Sequence, residues 1–264
     1  MTQSRRVGTI NVTALLDGEG PFFENRGDVF PAATADQWRA ADAFDPGAHD
    51  EAGRWHLHFR CFAIRYPRIG TVLVDAGIGP AESPLSSWTP VPGVLPQSLD
   101  EAGIAPDEIE TVVLTHLHRD HTGWAVSGRD DVKPYFPNAR YVLQSTEADW
   151  LQDSLLHEQV LAPLDHAQQL SLIDGEEKLS TEIKVVPTPG HTRGHQSVIV
   201  EGREETLVVT GDLLVHSIQL LYPEVGYLFE DDQEAAYRSR ERIMDLVSST
   251  GGILGTAHLS EPFV

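Results

Sequence analysis

The sequence predicts a mixed α/β fold from three observations. Apolar runs rich in β-branched residues recur along the chain, helical stretches lie between some of them, and 41% of the 264 residues are hydrophobic. That composition provides a sizeable core and disfavours a disordered or fibrous chain. Strands are predicted at Val7–Leu16, His56–Tyr66, Thr71–Val74, Thr111–Thr115, Arg140–Leu143, Ile183–Val186, Ser197–Val200 and Leu207–Thr210.

Three helices are predicted between these strands. The clearest is Glu234–Val247, because its apolar residues form a stripe at helical spacing on a charged helix. The stripe consists of Ala235, Ile243, Leu246 and Val247. The spacing of Thr34 and Gln37 predicts a capping box for a short helix through Ala43, and Leu95–Ala102 reads as a helix that ends at Gly103.

Pro and Gly cluster in two segments, Gly18–Pro31 and Gly77–Pro96, both interspersed with aromatic residues. We expect these segments to be surface loops folded over a site or an interface, because a domain linker has no use for large apolar side chains. With no repeat and no low-complexity run, residues 1–264 are predicted to form a single domain. The aromatic-rich segment Gly18–Ala43 is compatible with a homodimer.

The chain is strongly acidic, with nineteen Lys and Arg against forty Asp and Glu and a formal charge of −21. Such a field repels phosphate backbones and anionic lipid surfaces, so neither nucleic acid nor a membrane is expected as a partner. No segment approaches the ~20 apolar residues of a membrane span, and no secretion signal is recognised. Cys61 is the single cysteine and cannot form an internal disulfide. Together these features predict a cytoplasmic protein.

The segment that carries the chemistry follows the predicted strand at Thr111–Thr115. Three histidines and one aspartate lie within six positions, at His116, His118, Asp120 and His121. Any one of them alone would be read as a loop residue, but four together indicate a metal site. Imidazole and carboxylate ligands without a thiolate point to a catalytic metal. In an extended segment His116 and His118 point to the same side, and a turn after them can direct Asp120 and His121 toward a second ion.

Three further candidate ligands also follow predicted strands. They are His191 in a Thr-Pro-Gly-His-Thr segment, Asp212 in Thr-Gly-Asp, and His258 near the end of the sequence. Each repeats the order in which a strand is followed by a metal-binding side chain.

This pattern resembles the metallo-β-lactamase-fold hydrolases, from about Gly70 to the last residues. The resemblance rests on the HxHxDH run that begins at His116, followed in order by His191, Asp212 and His258. It implies a four-layer αββα sandwich, in which two sheets pack face to face and the metals lie at one edge.

The resemblance also implies a ligand assignment for two divalent metal ions. His116, His118 and His191 would bind one ion, Asp120, His121 and His258 the other, and Asp212 would bridge both. Zinc is the expected metal, with manganese, iron or cobalt as alternatives. Asp75, in Val-Asp-Ala-Gly, matches a family motif and is expected to orient a ligand histidine. The second metal of true β-lactamases commonly has a Cys ligand, so antibiotic hydrolysis is disfavoured here.

The ligand set predicts hydrolysis by a metal-bridging hydroxide, because two ions about 3.5–4 Å apart lower the pKa of a shared water toward 7. Asp120 is assigned the proton transfer as a hypothesis. The acidic chain favours a neutral or hydrophobic small-molecule ester, with a lactone such as an acyl-homoserine lactone as the first choice. Aryl esters or organophosphate triesters are the near alternative. A mono-iron persulfide dioxygenase and a non-catalytic product-binding protein are the alternatives from other classes.

Substrate-contacting residues are predicted from loop position and resemblance. Many lactonases of this family have a Tyr where this chain has Val215, and the segment from Asp212 to Gln219 is more similar to the methyl-parathion-hydrolase-like group. His216 is therefore a catalytic and pocket candidate, with an ordinary hydrogen-bonded histidine as the alternative. The full set of substrate candidates is Phe22, Phe23, Trp88, Trp124, His216 and Gln219, and core or interface packing is the alternative for the aromatic residues.

Other histidines are assigned no place in the site. His195 is expected to be a structural partner of the ligands, since the ligand count is already filled. His56 and His58 alternate within a strand and are expected to face the same side of a sheet.

Overall fold

The computed structural model describes residues 2–66, 69–81, 92–128, 131–152 and 154–264. Trp88, one of the substrate candidates, lies outside the described residues. The strands are β1 (Gln3–Val7), β2 (Ile10–Pro21), β3 (His56–Tyr66), β4 (Gly70–Val74), β5 (Ile109–Val113), β6 (Val126–Ser127), β7 (Lys133–Pro134), β8 (Arg140–Gln144), β9 (Leu170–Ile173), β10 (Glu177–Lys178), β11 (Ile183–Pro187), β12 (Gln196–Glu201), β13 (Thr206–Val209) and β14 (Ile253–Gly255). The helices are α1 (Arg26–Val29), α2 (Ala35–Phe44), α3 (Leu95–Glu101), α4 (Arg119–Thr122), α5 (Ser145–Trp150), α6 (Ala162–His166), α7 (Ser217–Leu221) and α8 (Gln233–Thr250).

Two large sheets organise the part of the chain that the structure describes. The first has seven strands in the order β1-β2-β3-β4-β5-β8-β9, antiparallel from β1 to β4 and parallel from β4 to β9. The second has five strands in the order β10-β11-β12-β13-β14, and only β13 and β14 in it are parallel. The parallel strands of the first sheet end at one edge, where the loops after β4, β5 and β8 meet.

Hydrophobic residues fill three interfaces between layers of secondary structure. Val72 of β4 and Val113 of β5 pack between the sheets against Val198 of β12. The opposite face of the first sheet packs on α3, α5 and α6, and the outer face of the second packs on α8 through Ile243. The four layers therefore run helix, sheet, sheet, helix, which confirms the expected αββα architecture.

The first predicted strand and the loop after it differ from expectation. The range Val7–Leu16 comprises the last residue of β1, a turn at Gly8, where φ is +58°, and the first part of β2, which pairs with β1 as a hairpin. Gly18–Pro31 is in part regular structure, because β2 continues to Pro21 and pairs with β3 across a register shift between Leu16 and Gly18. Because a β-bulge can accommodate glycine within a strand, the glycines of this segment do not end β2 at Leu16, the predicted end of the strand.

The predicted helices are present, and the capping box of α2 between Thr34 and Gln37 is confirmed. In α8, however, the buried face includes Ala236, Ser239 and Arg240 in place of Ala235. Polar residues are buried there because they have partners: Ser239 donates to the carbonyl of Pro189, and Arg240 pairs with Glu230. No helix among the described residues is long and apolar enough to cross a membrane.

Candidate metal centre

Seven candidate ligands converge at the edge where the strands of both sheets end. His116, His118, Asp120 and His121 follow β5, the last two within the short helix α4. His191 follows β11, Asp212 follows β13 and His258 follows β14. Strand ends that lie far apart in sequence thus bring the predicted ligands together.

The ligands form two groups whose donor atoms lie within 4.8 Å of one another in each group. The first comprises His116, His118, His191 and Asp212, and the second comprises Asp120, His121 and His258. These groups match the two ligand sets that the resemblance implies.

Asp212 lies between the groups and presents one carboxylate oxygen to each. Its Oδ2 is 3.2 Å from Nε2 of His191 and 3.7 Å from Nε2 of His116. Its Oδ1 is 2.9 Å from Nε2 of His258 and 3.1 Å from Nε2 of His121. A carboxylate in this position is placed to bridge two ions.

The donor atoms fit divalent metal ions. Nε2 of His116, Nε2 of His121 and Oδ1 of Asp212 are buried, and no hydrogen bond of good geometry reaches them from the described residues. Buried polar atoms are nearly always satisfied, so such a concentration of unsatisfied donors and acceptors calls for a ligand. Imidazole and carboxylate suit zinc, and harder divalent ions also accept the carboxylates.

The second nitrogens of three ligand histidines are held by the protein. Nδ1 of His121 is 2.7 Å from Oδ2 of Asp75, Nδ1 of His116 is 2.9 Å from the Thr115 hydroxyl, and Nδ1 of His258 is 2.8 Å from the His58 carbonyl. Asp75 also accepts from the Thr115 amide at 2.7 Å. These contacts fix ring orientation and agree with the orienting role expected of Asp75.

His195 positions Asp212 from behind. The Asp212 amide donates to Nε2 of His195 at 3.0 Å, and Nδ1 of His195 donates to the Thr188 carbonyl at 3.1 Å. Burial lowers the pKa of His195 to about 3, so the ring is neutral and can accept that hydrogen bond. Gly211 has φ of +54°, and a Cβ there would lie 2.8 Å from Nε2 of His195, so glycine is required beside it. His195 is thus a structural partner, as expected, and lies outside both ligand groups.

Glu147 joins the two loops that carry the first ligand group. Its carboxylate accepts from the Leu117 amide at 3.0 Å, between His116 and His118, and from the Gly194 amide at 2.9 Å, in the loop of His191. The side chain is buried, and burial raises the pKa of Glu147. No local pattern in the sequence indicates this residue, since it lies in α5, 30 residues from Leu117 and 47 residues from Gly194.

Burial and neighbouring charges shift the pKa values of the candidate ligands in different directions. Burial, together with charge on His121 and His118, holds the pKa of His116 well below its ordinary value, and burial lowers the pKa of His118 to about 3. Burial alone would raise the pKa of Asp212, but His121, His258 and His191 beside it bring that pKa well below its ordinary value. His116 and His118 are therefore neutral and ready to bind a cation. Burial alone would lower the pKa of His121 and His258, but the neighbouring carboxylates, above all Asp212, raise both above the ordinary value, so these two rings release a proton when a metal ion binds.

A cavity of about 340 Å³ opens over the ligands. It is lined by Phe22, Phe23, Trp55, Leu57, His118, Arg119, Asp120, Leu156, His191, Asp212, Val215, Tyr227, Phe229 and His258. Ligand residues form its polar floor, and aromatic and aliphatic side chains form most of its walls. This combination is typical of a small-molecule site.

The predicted substrate residues divide between this cavity and the packing behind it. Phe22 and Phe23 line the cavity, as expected. Trp124 does not, because its indole N–H donates to the buried carboxylate of Asp17 at 3.1 Å and its ring packs on Tyr135.

His216 and Gln219 are also corrected by the structure. His216 is buried behind Trp55, with ring centroids 5.5 Å apart, and its Nδ1 accepts from the Ile218 amide at the start of α7. Gln219 is buried and donates to Glu230 at 3.0 Å, which in turn accepts from the Tyr227 amide at 3.2 Å. Gln219 therefore supports the segment that carries Tyr227, and neither His216 nor Gln219 lines the cavity.

Seven cavity residues are not among the ligands and substrate candidates predicted from the sequence. They are Trp55, Leu57, Arg119, Leu156, Val215, Tyr227 and Phe229. Tyr227 stacks on the ligand His191 with ring centroids 6.3 Å apart and planes 7° from parallel. The alternation of Leu57 with His56 and His58 indicates only the face of the strand on which Leu57 lies, which is not a signal for the site. Tyr227 had none, because its place depends on the fold of the loop between α7 and α8.

Comparisons with known proteins agree with this geometry. The family model described as the metallo-beta-lactamase superfamily matches residues 61–250. An N-acyl homoserine lactonase of Bacillus sp. is 26% identical over 207 residues, which cover 72% of this chain and 76% of that protein.

Two solved structures are similar in fold. The hydrolase AbOPH, described as belonging to the beta lactamase superfamily, gives a TM-score of 0.81 at 23% identity and covers 99% of this chain and 91% of its own. AidC, a dizinc quorum-quenching lactonase in complex with a product, gives a TM-score of 0.78 at 22% identity and also covers 99% of this chain and 91% of its own. The chain therefore belongs to the metallo-beta-lactamase superfamily, among its hydrolases.

Proposed function

We propose that the protein is a dinuclear metal-dependent hydrolase that cleaves a neutral ester, with a lactone as its first-choice substrate. His116, His118 and His191 bind one ion, Asp120, His121 and His258 bind the other, and Asp212 bridges them. Zinc is the proposed metal.

The observation that carries this proposal is the position of the Asp212 carboxylate. Its two oxygens lie 2.9–3.7 Å from four imidazole nitrogens, two on each side. A site for a single ion would not need a carboxylate shared between two separate ligand groups. This arrangement favours the hydrolase over the mono-iron alternative.

Two bound divalent ions would supply a water with a pKa near 7 and a Lewis acid for the substrate oxygen. The protein supplies the remaining functions. Asp120 lines the cavity with Oδ2 3.6 Å from Nε2 of both His121 and His258, where it can take up or return a proton at the floor.

Tyr227 can hydrogen-bond the substrate from the wall. Burial, together with charge on Asp212 and Asp120, raises the pKa of Tyr227, so the phenol keeps its proton and remains a donor. Stacked on His191, this donor lies beside the first ligand group. Its role would be to donate a hydrogen bond to a substrate oxygen on which negative charge develops.

The cavity walls support an apolar group on the substrate. Phe22, Trp55, Leu57 and Leu156 provide an apolar surface, and the chain's formal charge of −21 disfavours anionic substrates. The similarity to lactonases, one of which was solved with a product bound, supports an acyl lactone of this kind.

Aryl esters and phosphotriesters are the second candidate class. The specific observation in their favour is the aromatic character of the wall, with Phe22, Phe23, Trp55, Tyr227 and Phe229 around one cavity. Aromatic walls stack on an aryl group with a geometry that an alkyl chain does not require.

Metal content and a substrate panel together test the proposal. Elemental mass spectrometry of the purified protein should find about two metal ions per chain. Acyl lactones, aryl esters and a phosphotriester should then be assayed before and after chelation. Lactone cleavage that chelation abolishes and zinc restores is the expected result.

Other results would revise the proposal in defined ways. Dominant aryl-ester or phosphotriester turnover would move the substrate to the second class. One iron per chain with thiol-dependent oxygen uptake and no hydrolysis would overturn the hydrolase assignment. Tight retention of a product with no turnover of any ester would identify a binding protein.

A further inference from the structure

A second cluster of metal-binding side chains lies on the neighbouring strands β2 and β3. His56 and His58 alternate along β3, and Glu19 of β2 is paired with His58 in the sheet register. Alternate residues of a strand share a face, and so do directly paired residues on adjacent strands. The three side chains therefore project from the same side of the sheet.

The donor atoms of this cluster are already close. One ligand atom from each of Glu19, His56 and His58 lies within 4.8 Å of the other two. Nε2 of His58 is 3.2 Å from Oε2 of Glu19, and the two imidazole rings are 5.5 Å apart at 72°. Small rotations of side chains would bring three donors around one ion.

His58 also carries an unsatisfied buried nitrogen. Its Nδ1 is buried, and no hydrogen bond from the described residues reaches it. A buried imidazole nitrogen without a hydrogen-bond partner is available to a metal ion.

The cluster is separate from the cavity. Leu57, which lies between the two histidines, lines the cavity wall, so His56 and His58 point to the opposite face of β3. The two sites meet at His58, whose backbone carbonyl accepts from Nδ1 of His258 at 2.8 Å.

The surrounding charges are compatible with a cation. Arg60 is the nearby cation, and its guanidinium donates to the carbonyls of Leu259 and Ser260. Glu19, Asp45 and Glu261 all act on Arg60 with the opposite charge. The net field of the chain, with a formal charge of −21, also favours cation binding.

We propose that Glu19, His56 and His58 bind a third divalent transition-metal ion, with zinc as the preferred species. Two imidazoles and one carboxylate form a three-ligand zinc set, and water completes the coordination of such a site. Because Glu19 is largely exposed, this ion should exchange more readily than ions at the buried centre. The proposal does not depend on the substrate or on the reaction.

Zinc titration of the full-length protein tests this proposal. Protein carrying its tightly bound metal should be titrated with Zn²⁺ by isothermal titration calorimetry. Total metal should be counted by elemental mass spectrometry after rapid desalting. Wild type should bind one zinc ion per chain beyond the first two.

Three variants locate that ion. Glu19→Gln and His56→Gln should each lose the additional equivalent and retain the tightly bound metal, while His166→Gln, at an exposed histidine on α6, should bind zinc as wild type does. Circular dichroism should show unchanged folding in all three. Absence of any binding beyond the first two ions, or survival of the additional equivalent in both Glu19→Gln and His56→Gln, would overturn the proposal. Because the readout is the difference between wild type and variants, it remains valid even if the protein hydrolyses no ester.

Discussion

The floor and the wall of the cavity are built by different means. At the floor, His116 and His121 are buried, and their outward nitrogens contact Thr115 and Asp75. At the wall, Phe23 is 67% exposed and Phe229 is 44% exposed, and the centroids of the two rings are 6.3 Å apart. The floor is positioned by hydrogen bonds and the wall by packing. We therefore expect substitutions in the floor to abolish turnover, and substitutions in the wall to change substrate preference.

The largest effect is expected for Asp212→Asn. Loss of the shared carboxylate charge should remove metal from both groups, and metals supply several kcal/mol of transition-state stabilisation, which is about a thousandfold or more in rate. Ester hydrolysis and metal content should be measured together. Asp245→Asn, at an exposed position of α8, is the matched control. Retention of two metals and of near-wild-type turnover by Asp212→Asn would refute the assignment of the floor.

Glu147→Ala should lower both the stability of the fold and the metal affinity of the first ligand group, although Glu147 lies outside both ligand groups. It leaves the buried amides of Leu117 and Gly194 without their acceptor, at a cost of about 3 kcal/mol in unfolding free energy. Metal affinity of the first group should fall by about 10–100-fold, because the two ligand loops lose their common anchor. Denaturant unfolding and a competitive chelator titration measure these effects. Glu147→Gln retains one acceptor and should recover part of both losses, whereas equal effects of Ala and Gln would argue against the anchoring role.

Asp17 should make the stability of the folded protein dependent on pH. Its buried carboxylate accepts from the amides of Ile78 and Leu95, each at 2.5 Å, and from the Trp124 indole. Burial raises the pKa of Asp17 from 3.8 to about 6. The protonated form is therefore favoured in the folded state, and the stability that it contributes is lost as pH rises through about 6. The change corresponds to about 3 kcal/mol.

This pH effect is measured as the difference in unfolding free energy between wild type and Asp17→Asn at several values between pH 4 and pH 7. The wild type should lose stability relative to the variant over that range, and metal loss common to both proteins cancels in the difference. Asp100→Asn, at an exposed position of α3, should show no such trend. A difference that does not vary with pH would contradict the expectation.

Tyr227→Phe tests the one polar group expected to act from the wall. The ring can still stack on His191, so folding and metal content should be unchanged, while loss of one hydrogen bond to the substrate should lower kcat/KM by about tenfold. Tyr237→Phe, on the surface of α8, is the matched control. An unchanged kcat/KM would remove the hydroxyl from the mechanism and leave only its ring in the wall.

The smallest effect is expected for Phe229→Ala at the cavity rim. Partial loss of apolar contact, about 1 kcal/mol, should raise KM about fivefold for long-chain or aryl substrates. The kcat for a small lactone should be unchanged, since the floor is intact. Phe44→Ala removes a similarly exposed phenylalanine from α2, outside the cavity lining, and should leave both constants as in wild type. A loss of kcat for every substrate would show that the rim affects the floor as well.

Patterns in the sequence predicted a mixed α/β fold, and the resemblance carried by the HxHxDH run implied the family and the four-layer architecture. The candidate ligands were predicted from the residues themselves. This was possible because each ligand directly follows a strand, and the spacing of His116, His118, Asp120 and His121 places four of them in one local segment. Short-range patterns of this kind can be recognised without knowledge of the tertiary contacts. The match of Asp75 to a family motif, and not spacing, implied its place beside a ligand histidine.

The surroundings of those ligands depend on contacts that are seen in the folded chain. Glu147, Trp55 and Tyr227 come from segments far from the HxHxDH run, and Trp124 and Gln219 turn toward Asp17 and Glu230 and away from the cavity. Their roles depend on contacts between distant loops, which local periodicity and composition do not encode. The candidate ligands can thus be predicted from short-range spacing, while the cavity wall results from the packing of separate loops against one sheet edge.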